Sequence, residues 1–360
     1  MFKKPLLAVI LLPIAFVSSI SHAQSSVQLY GNLDVGMTYV NDVGGKRSIG
    51  LADGIQRSNV FGIQGTEDLG DGTAAIFKLN TGFSIDSGAL KTSNLIFKEA
   101  WAGLKDDKLG RAMVGRQYDF IKEITNSYMA CLECGVYVVP NADIDRTNGD
   151  FVTNSVQYRT PNYAGLSMGA MYGFGSTDST ATNAGRMYSL FAQYAHGPFS
   201  AILVTTNINK ISLSAGNIGI RQLFGTNVTS STTFVTNRRI LAGGVSYKIG
   251  DFTGMAYYTN TRLTYQQNSA IDQEWSLGGT YWLSGNVILA VSEGLNTLEG
   301  SSWYTTNAGL SYYLSKTTRT YLDLAYQHAA GNNAYAAMRN AGIAASANQT
   351  LVRIGMIKYF

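Results

Sequence analysis

The only two cysteines of the 360-residue chain, Cys131 and Cys134, lie three positions apart in the stretch SYMACLECGVYVV. Pairs with this spacing occur in zinc sites, in thioredoxin-like redox centres and in local disulfides. A zinc site needs further Cys or His ligands, and the neighbouring sequence supplies none. A thioredoxin-like pair belongs to a βαβ unit. The chemistry of the pair therefore depends on its compartment and on the elements around it.

The first 23 residues have the pattern of a secretory signal peptide. Two lysines precede the apolar run Pro5–Val17, and small residues then suit cleavage after Ala23. The apolar run is too short to remain as a membrane anchor. We therefore expect an exported mature chain of residues 24–360. Thiols tend to pair in an oxidising compartment, so this context favours a local disulfide for the cysteine pair.

The composition of the chain indicates a membrane β-barrel. Charged residues are 14% of the chain, against about 25% in soluble proteins, while Gly (39) and Tyr (22) are frequent and Pro (5) is rare. The mature chain keeps 25 basic and 23 acidic residues (27 minus 2, and 23), which is not the excess of a nucleic-acid-binding protein. No later apolar run approaches the roughly 20 residues of a transmembrane helix.

Apolar residues alternate with polar ones along most of the chain. In VQLYGNLDVGMTYV, Leu29, Leu33 and Val35 share one face, whereas Asn32 and Asp34 share the other. The stretches AAIFKLN, EWSLGGTYWLS, TYLDLAYQH and QTLVRIGMIKYF repeat the pattern. Such a period of two is that of a strand with two different faces. The runs are about ten residues long, which is the length of a tilted strand that crosses a membrane.

The connectors between these runs alternate in length. Seven short polar turns and eight longer polar segments predict sixteen strands, and such an alternation is typical of outer-membrane barrels. The last strand must lie beside the first to leave no open edge, and it ends in Phe360. The longer segments are Asn41–Gly54, Ser84–Asn94, Tyr118–Asp150, Gly175–Arg186, Asn207–Asn237, Thr264–Asp272, Gly294–Ser302 and Gly331–Asn348.

Several segments resemble the general porins of Gram-negative outer membranes, especially the betaproteobacterial type. The sharpest are GTEDLGDG and VGRQYD, and QLYGNLDVGMTY, FKEAWAGLKDDKLGRAMVGRQYD and the terminal YF extend the likeness. The resemblance implies an all-β, 16-stranded antiparallel transmembrane barrel with short periplasmic turns, long extracellular loops and a third loop (118–150) folded inward. It further implies a homotrimer in the outer membrane among lipids and lipopolysaccharide, with Phe360 presented to the barrel insertion machinery.

A channel of this kind requires no cofactor and no metal, but charges must face each other across its narrowest point. The family places basic residues on the wall and carboxylates on the inward loop. In FKEAWAGL, Lys98 stands near a position that is often basic, and its parity points it into the lumen, whereas Glu99 is expected on the outer face. The remaining candidates for the constriction are Lys78, Arg116 and Arg159 on the wall, Asp34 on the first strand, and Asp119, Glu123 and Glu133 on the loop. A disulfide between Cys131 and Cys134 would direct Glu133 into the pore.

Two other functions stay open at this point. An enzyme barrel would need a positioned base, and only His196 and His328 remain after the signal peptide. Both lie at strand ends or turns and are better interpreted as interfacial residues. A structural or adhesive barrel would carry no current, whereas a porin conducts in large steps. The permeant solute and the preference for anions or cations do not follow from the sequence.

Overall fold

The computed structural model describes residues 25–91, 95–139, 143–176, 183–213, 217–228, 233–331 and 334–360, so the predicted signal peptide lies outside the described residues. Within these ranges the chain is almost entirely β-structure, with one α-helix, α1 (Lys122–Ser127), and one 3-10 helix (Leu132–Val138). The strands are β1 Ser26–Val43, β2 Lys46–Asp53, β3 Val60–Gly70, β4 Thr73–Gly82, β5 Glu99–Asp106, β6 Gly110–Tyr118, β7 Phe151–Arg159, β8 Leu166–Gly173, β9 Met187–His196, β10 Phe199–Leu213, β11 Gln222–Leu223, β12 Thr226–Asn227, β13 Thr233–Ile249, β14 Phe252–Tyr265, β15 Asn268–Ser284, β16 Val287–Leu298, β17 Ser301–Ser315, β18 Thr318–Gly331 and β19 Asn348–Tyr359.

Seventeen of the described strands form one antiparallel sheet, which closes because β1 pairs with β19. The first half of β1 pairs with β3 and its second half with β2, so β2 and β3 are two halves of one wall strand. Residues 54–59 interrupt that strand. The barrel formed by the described strands therefore has the sixteen wall strands that the alternating connectors predict, and its closure removes the exposed edges of the sheet.

The connectors at the two ends of the barrel differ in length. All seven predicted short turns lie at one end. At the other end, the prediction of eight long loops is wrong for three connectors, which are the two-residue turns 44–45, 266–267 and 299–300. Gln266 and Glu299 take left-handed backbone angles there (φ 52° for both). The polar residues beside these turns continue the strands, and polarity on both faces cannot distinguish such strands from loops.

The wall has an apolar outer face and a filled interior. Along β13, for example, Ile240 is fully buried and the adjacent Leu241 is 54% exposed. The buried cores lie inside the barrel, where inward-folded loops contact the inner wall. An outward apolar band around polar and loop-filled contents is the arrangement of a barrel that crosses a membrane. No helix in the described ranges is long and apolar enough to span one.

Candidate functional site

The described parts of the third loop (residues 119–139 and 143–150) fold into the lumen and pack against the inner wall. Its apolar side chains, including Phe120, Ile124 and Tyr128, pack against Phe191 and Ile240 of the inner wall. Burial of such side chains is the main contribution to holding the loop inside the barrel, because each buried aliphatic or aromatic group contributes about 1.5–3 kcal/mol. This cluster uses the wall from β7 onward, and a second cluster joins Tyr137 of the loop to Val40 of β1.

A second segment also enters the lumen, at the interruption between β2 and β3. Asp34 on β1 holds it through both its backbone and its side chain. The Asp34 carbonyl accepts the Gly54 N–H (2.9 Å), and its carboxylate accepts the N–H groups of Gln56 (2.6 Å) and Arg57 (2.9 Å). The Asp34 N–H donates to Asn59 Oδ1 (2.6 Å). One residue therefore organises the whole 54–59 segment.

The far side of the Asp34 carboxylate is held by the C-terminal strands. It accepts the Tyr321 hydroxyl (2.5 Å) and lies 3.4 Å from Arg353 Nη2, and both charged side chains are inaccessible to solvent. Arg353 also donates to Tyr321 and Thr38 (2.8 Å each). An ion pair that is buried in this way is strongly disrupted when one partner is removed.

The two inward segments are joined to each other at the tip of the third loop. The Val136 N–H donates to the Ile55 carbonyl (3.0 Å), and the Gln56 amide donates to the Glu133 carbonyl. Gly135 permits this contact, because its angles (φ 67°, ψ −150°) suit only glycine and a Cβ there would lie 2.7 Å from the Ile55 oxygen. The third loop and the 54–59 segment are therefore joined into one structure inside the lumen.

A cavity of about 460 Å³ lies between these segments and the wall, and we call it the constriction cavity. Three basic residues line it, Arg57, Lys98 and Lys122, and none of its described lining residues is Asp or Glu. Lys122 Nζ donates to the Asn148 carbonyl (2.9 Å), and Lys98 Nζ lies 5.6 Å from the centre of the Phe151 ring. Within the described residues, neither lysine forms a salt bridge.

Lys122 lies on the third loop, outside the membrane-spanning strands, and its charge is sensitive to its surroundings. Burial of the ammonium lowers the pKa of Lys122 to about 8, against the attraction of Asp143. Repulsion from Lys98, Arg57 and Arg339 adds to the lowering of this pKa. The clustering of like charges at the constriction cavity therefore makes the Lys122 ammonium easier to deprotonate.

The three carboxylates predicted on the third loop do not line the constriction cavity. Each is paired with an arginine: Asp119 with Arg146 (2.8 Å), Glu123 with Arg159 (2.7 Å), and Glu133 with Arg319. Asp119 and Glu133 are buried as well. Their negative charges are compensated locally, so the basic residues of the cavity are not opposed across the open space by these carboxylates.

The predicted wall residues have separate surroundings. Lys78 pairs with Glu99 (3.0 Å), and Glu99 also accepts hydrogen bonds from Asn80 and the Trp101 indole (2.9 and 2.7 Å). The expectation that Glu99 faces outward is therefore wrong, because Trp101, which has the same parity, also lies on the inner face, whereas Leu104 has the opposite parity and is 56% exposed. Arg116 donates to the Lys98 carbonyl (3.0 Å) and lies 5.2 Å from the Phe151 ring.

Cys131 and Cys134 form a disulfide at the tip of the third loop, with Cα atoms 5.2 Å apart. The Cys134 N–H also donates to the Cys131 carbonyl (2.8 Å). The tip packs onto β17 at Gly309, where a Cβ would lie 3.1 Å from Cys134 Sγ. The disulfide lies beside Glu133, but the Glu133 carboxylate points to Arg319 on the wall and not into the constriction cavity.

Sequence reasoning missed several residues of the site, namely Lys122, Arg319, Arg353 and the inward course of residues 54–59. The alternation of the last strand places Arg353 on the inner face and could have drawn attention to it.

The described residues contain no group of three or more His, Cys, Asp or Glu side chains placed to hold a metal. His328 accepts or donates a hydrogen bond with Asn348 (2.8 Å), and His196 stacks near Tyr194.

Comparison with known proteins gives a consistent picture. A family model described as Gram-negative porin matches residues 8–332. An outer membrane porin protein of Bordetella pertussis is 30% identical over 237 residues, which cover 58% of this chain and 60% of that protein's length. Outer membrane porin protein 32 of Delftia acidovorans is 29% identical over 300 residues, covering 76% of this chain and 82% of that protein. The solved anion-selective porin from Comamonas acidovorans has the same fold, with a TM-score of 0.78 at 24% identity over 94% of this chain and all of that one.

Proposed function

This chain belongs to the Gram-negative porin family, and from that premise we propose that it forms a water-filled channel in the outer membrane that favours anions. Small hydrophilic solutes diffuse through it passively. Charges lining a restricted aqueous passage determine which ions enter it. The channel requires no chemistry from its side chains beyond placing these charges, and no enzymatic step is part of the proposal.

One observation carries the preference for anions. Arg57, Lys98 and Lys122 line the constriction cavity, and no Asp or Glu is among its described lining residues. A unit charge about 6 Å from a passing ion changes its energy by roughly 0.7 kcal/mol in bulk water. The three cations therefore enrich chloride and exclude potassium at the narrowest point. The solved Comamonas porin of the same fold is described as anion-selective, which agrees with this assignment.

We also propose that three copies assemble in the membrane, as the resemblance implies, in contact with lipid and lipopolysaccharide. Residues 1–23 would be removed on export. The C-terminal Phe360 exchanges two backbone hydrogen bonds with Gly31 (3.0 Å each) and its side chain is about half exposed. This accessible terminal ring supports a role in recognition by the insertion machinery. Migration of unheated and heated samples on a denaturing gel tests the trimer.

The function is tested by adding the purified protein to a planar bilayer. We expect large stepwise conductance, with three steps for each inserted trimer, and swelling of liposomes in small neutral sugars. A structural or adhesive barrel would give neither. Absence of both, from protein whose heat-dependent gel mobility shows a folded barrel, would refute the channel.

A further inference from the structure

Two arginines project from the outer face of the barrel near its long-loop end. Arg239 on β13 is directly opposite Arg262 on β14, so both side chains lie on the same face of the sheet. Arg239 has the same parity as Leu241, which points outward and is 54% exposed, and both arginines are exposed as well. We call Arg239 and Arg262 the arginine pair.

The charge of the arginine pair is not compensated by the part of the chain that the structure describes. Like charges directly opposite on neighbouring strands destabilise a sheet. Neither arginine forms a salt bridge among the described residues, and Arg262 donates only a long hydrogen bond to Ser269 Oγ (3.4 Å). Strands β9–β15 contain two carboxylates, Asp272 and Glu274, and both are buried on the inner face. The compensating anion must therefore come from outside these strands.

A belt of aromatic and amide side chains separates the arginine pair from the middle of the wall. The Tyr258 hydroxyl accepts hydrogen bonds from the amides of Asn260 (3.2 Å) and Gln273 (2.7 Å), and its ring centre lies 5.1 Å from that of Trp275. Aromatic rings with a polar end are typical of the membrane–water interface. The arginine pair lies on the water side of this belt, where an outward charge costs little.

An apolar groove of about 1010 Å³ lies on the other side of the belt, and we call it the outer groove. Gly243 and Ala256 line it beside larger side chains, and a Cβ at Gly243 would lie 3.2 Å from Leu203 Cδ2. Among the described lining residues Glu293 is the only charged one, and its carboxylate accepts the Thr306 hydroxyl (2.6 Å). The small residues thus leave a depression in the lipid-facing wall.

The arginine pair and the outer groove lie on the same two strands. Gly243 follows Arg239 by four positions on β13, which is about 13 Å along the strand. Directly opposite side chains begin about 5 Å apart, and the planar guanidinium fork matches the oxygens of a phosphate. One phosphate can therefore contact both arginines, while an apolar chain attached to it extends along the wall into the groove.

From this arrangement we propose that the arginine pair and the outer groove together bind one phosphate-bearing lipid of the leaflet at the long-loop end. The phosphate lies between the two guanidinium groups, and an acyl chain fills the groove, where its removal from water is favourable. The face formed by β10–β15 is then turned to lipid and not to another subunit of the proposed trimer. The inference rests on the proposed placement in the outer membrane and not on the preference for anions.

The phosphate is tested by native mass spectrometry of the purified protein in detergent, with lipid A that carries both phosphates and lipid A without them as probes. We expect the wild type to bind the phosphorylated form more tightly. Arg239→Gln combined with Arg262→Gln should raise its Kd about tenfold, a few-fold for each exposed ion pair. Lys46→Gln combined with Arg47→Gln is the matched control. It removes two exposed charges at the same end of the barrel, away from the groove, and should leave the Kd unchanged.

The groove is tested with the arginine pair intact. Ala256→Phe fills the outer groove and should also raise the Kd for phosphorylated lipid A. Ala308→Phe is the matched control, because Ala308 has the outward parity of Leu310 on β17 and does not line the groove. Removing the arginine pair relieves repulsion, so that variant should fold, and heat-dependent gel mobility verifies the fold of every variant.

Three results would overturn the proposal: equal binding of the two lipid forms, equal Kd values for the arginine-pair variant and its control, or equal Kd values for Ala256→Phe and Ala308→Phe. Loss of the trimer in Ala256→Phe would also overturn it, because the groove would then contact another subunit. Both arginines lie outside the lumen, so the conductance of their variant should be that of the wild type. Absence of conductance in the wild type would refute the proposed function and leave the lipid site standing.

Discussion

Asp34→Asn should reduce the anion preference of the channel although Asp34 does not line the constriction cavity. The Asp34 carboxylate accepts the N–H groups of Gln56 and Arg57 and thereby holds Arg57 in the lumen. Hydrogen bonds to a charged acceptor contribute about 1.5–3 kcal/mol each, against about 0.5–1.5 kcal/mol for a neutral one. Weakening two of them by about 1 kcal/mol each frees the 54–59 segment to leave its position.

The size of the effect follows from the charge of Arg57. At about 6 Å in water its field is worth roughly 0.7 kcal/mol to an ion, and screening in 0.1 M salt lowers this to about 0.4 kcal/mol. That energy enriches chloride about twofold and depletes potassium about twofold. Loss of the charge from the pore should therefore reduce the chloride-to-potassium permeability ratio about fourfold, and less at higher salt.

The assay is the zero-current potential in a potassium chloride gradient for Asp34→Asn, Arg57→Gln and the double variant. If Asp34 acts by positioning Arg57, both single variants lower the ratio and the double variant lowers it no further than Arg57→Gln alone. Asp42→Asn is the matched control, because Asp42 lies on the same strand and holds the N–H groups of Gly45 and Ala345 instead. Additive effects of Asp34→Asn and Arg57→Gln, or a wild-type ratio for Asp34→Asn, would refute the reasoning.

Three further predictions concern the third loop. The pKa of Lys122 is lowered to about 8, so the anion preference should fall as pH rises from about 7 to 9 and this ammonium loses its proton. Lys122→Arg, which stays charged, should abolish the fall. A fall that persists in Lys122→Arg would show that another group causes it. Gly135→Ala should loosen the contact between the third loop and the 54–59 segment, and the single-channel current should become noisier. Gly285→Ala is the control, because nothing lies near its Cβ position, and it should leave the noise unchanged. Equal noise in the two variants would contradict the role of this contact. Double replacement of Cys131 and Cys134 by Ser should lower the free energy that holds the third loop in place by about 2 kcal/mol. Proteolysis at the loop should then be faster, with nearly unchanged conductance. An unchanged rate of proteolysis would show that the disulfide does not stabilise the loop.

The barrel was predictable because its signals are local. Alternation along a strand reports its two faces, and the connectors between runs reveal the number of strands, so sixteen strands and the pairing of the first with the last follow from the sequence. The interruption between β2 and β3 was not predictable, because the residues that hold it are distant: Asp34 and Arg353 are 319 positions apart.

The charges of the site show the same limit. Parity places Arg159 toward the lumen, but it cannot tell which carboxylate lies beside which arginine. The predicted acidic side of the constriction depended on the third-loop carboxylates facing open water, and tertiary contacts instead pair them with Arg146, Arg159 and Arg319. Lys122 is one residue from a predicted position, and only the orientation of α1 distinguishes it from Glu123.

The anion-favouring constriction is tested most directly by the zero-current potential of wild-type channels and of the triple variant Arg57→Gln, Lys98→Gln, Lys122→Gln in the same potassium chloride gradient. Removal of Lys46, Arg47 and Lys316 from the exposed rims is the matched control. We predict chloride preference for the wild type and the control, and a potential close to zero for the triple variant. Cation preference in the wild type, or an unchanged potential in the triple variant, would contradict this account.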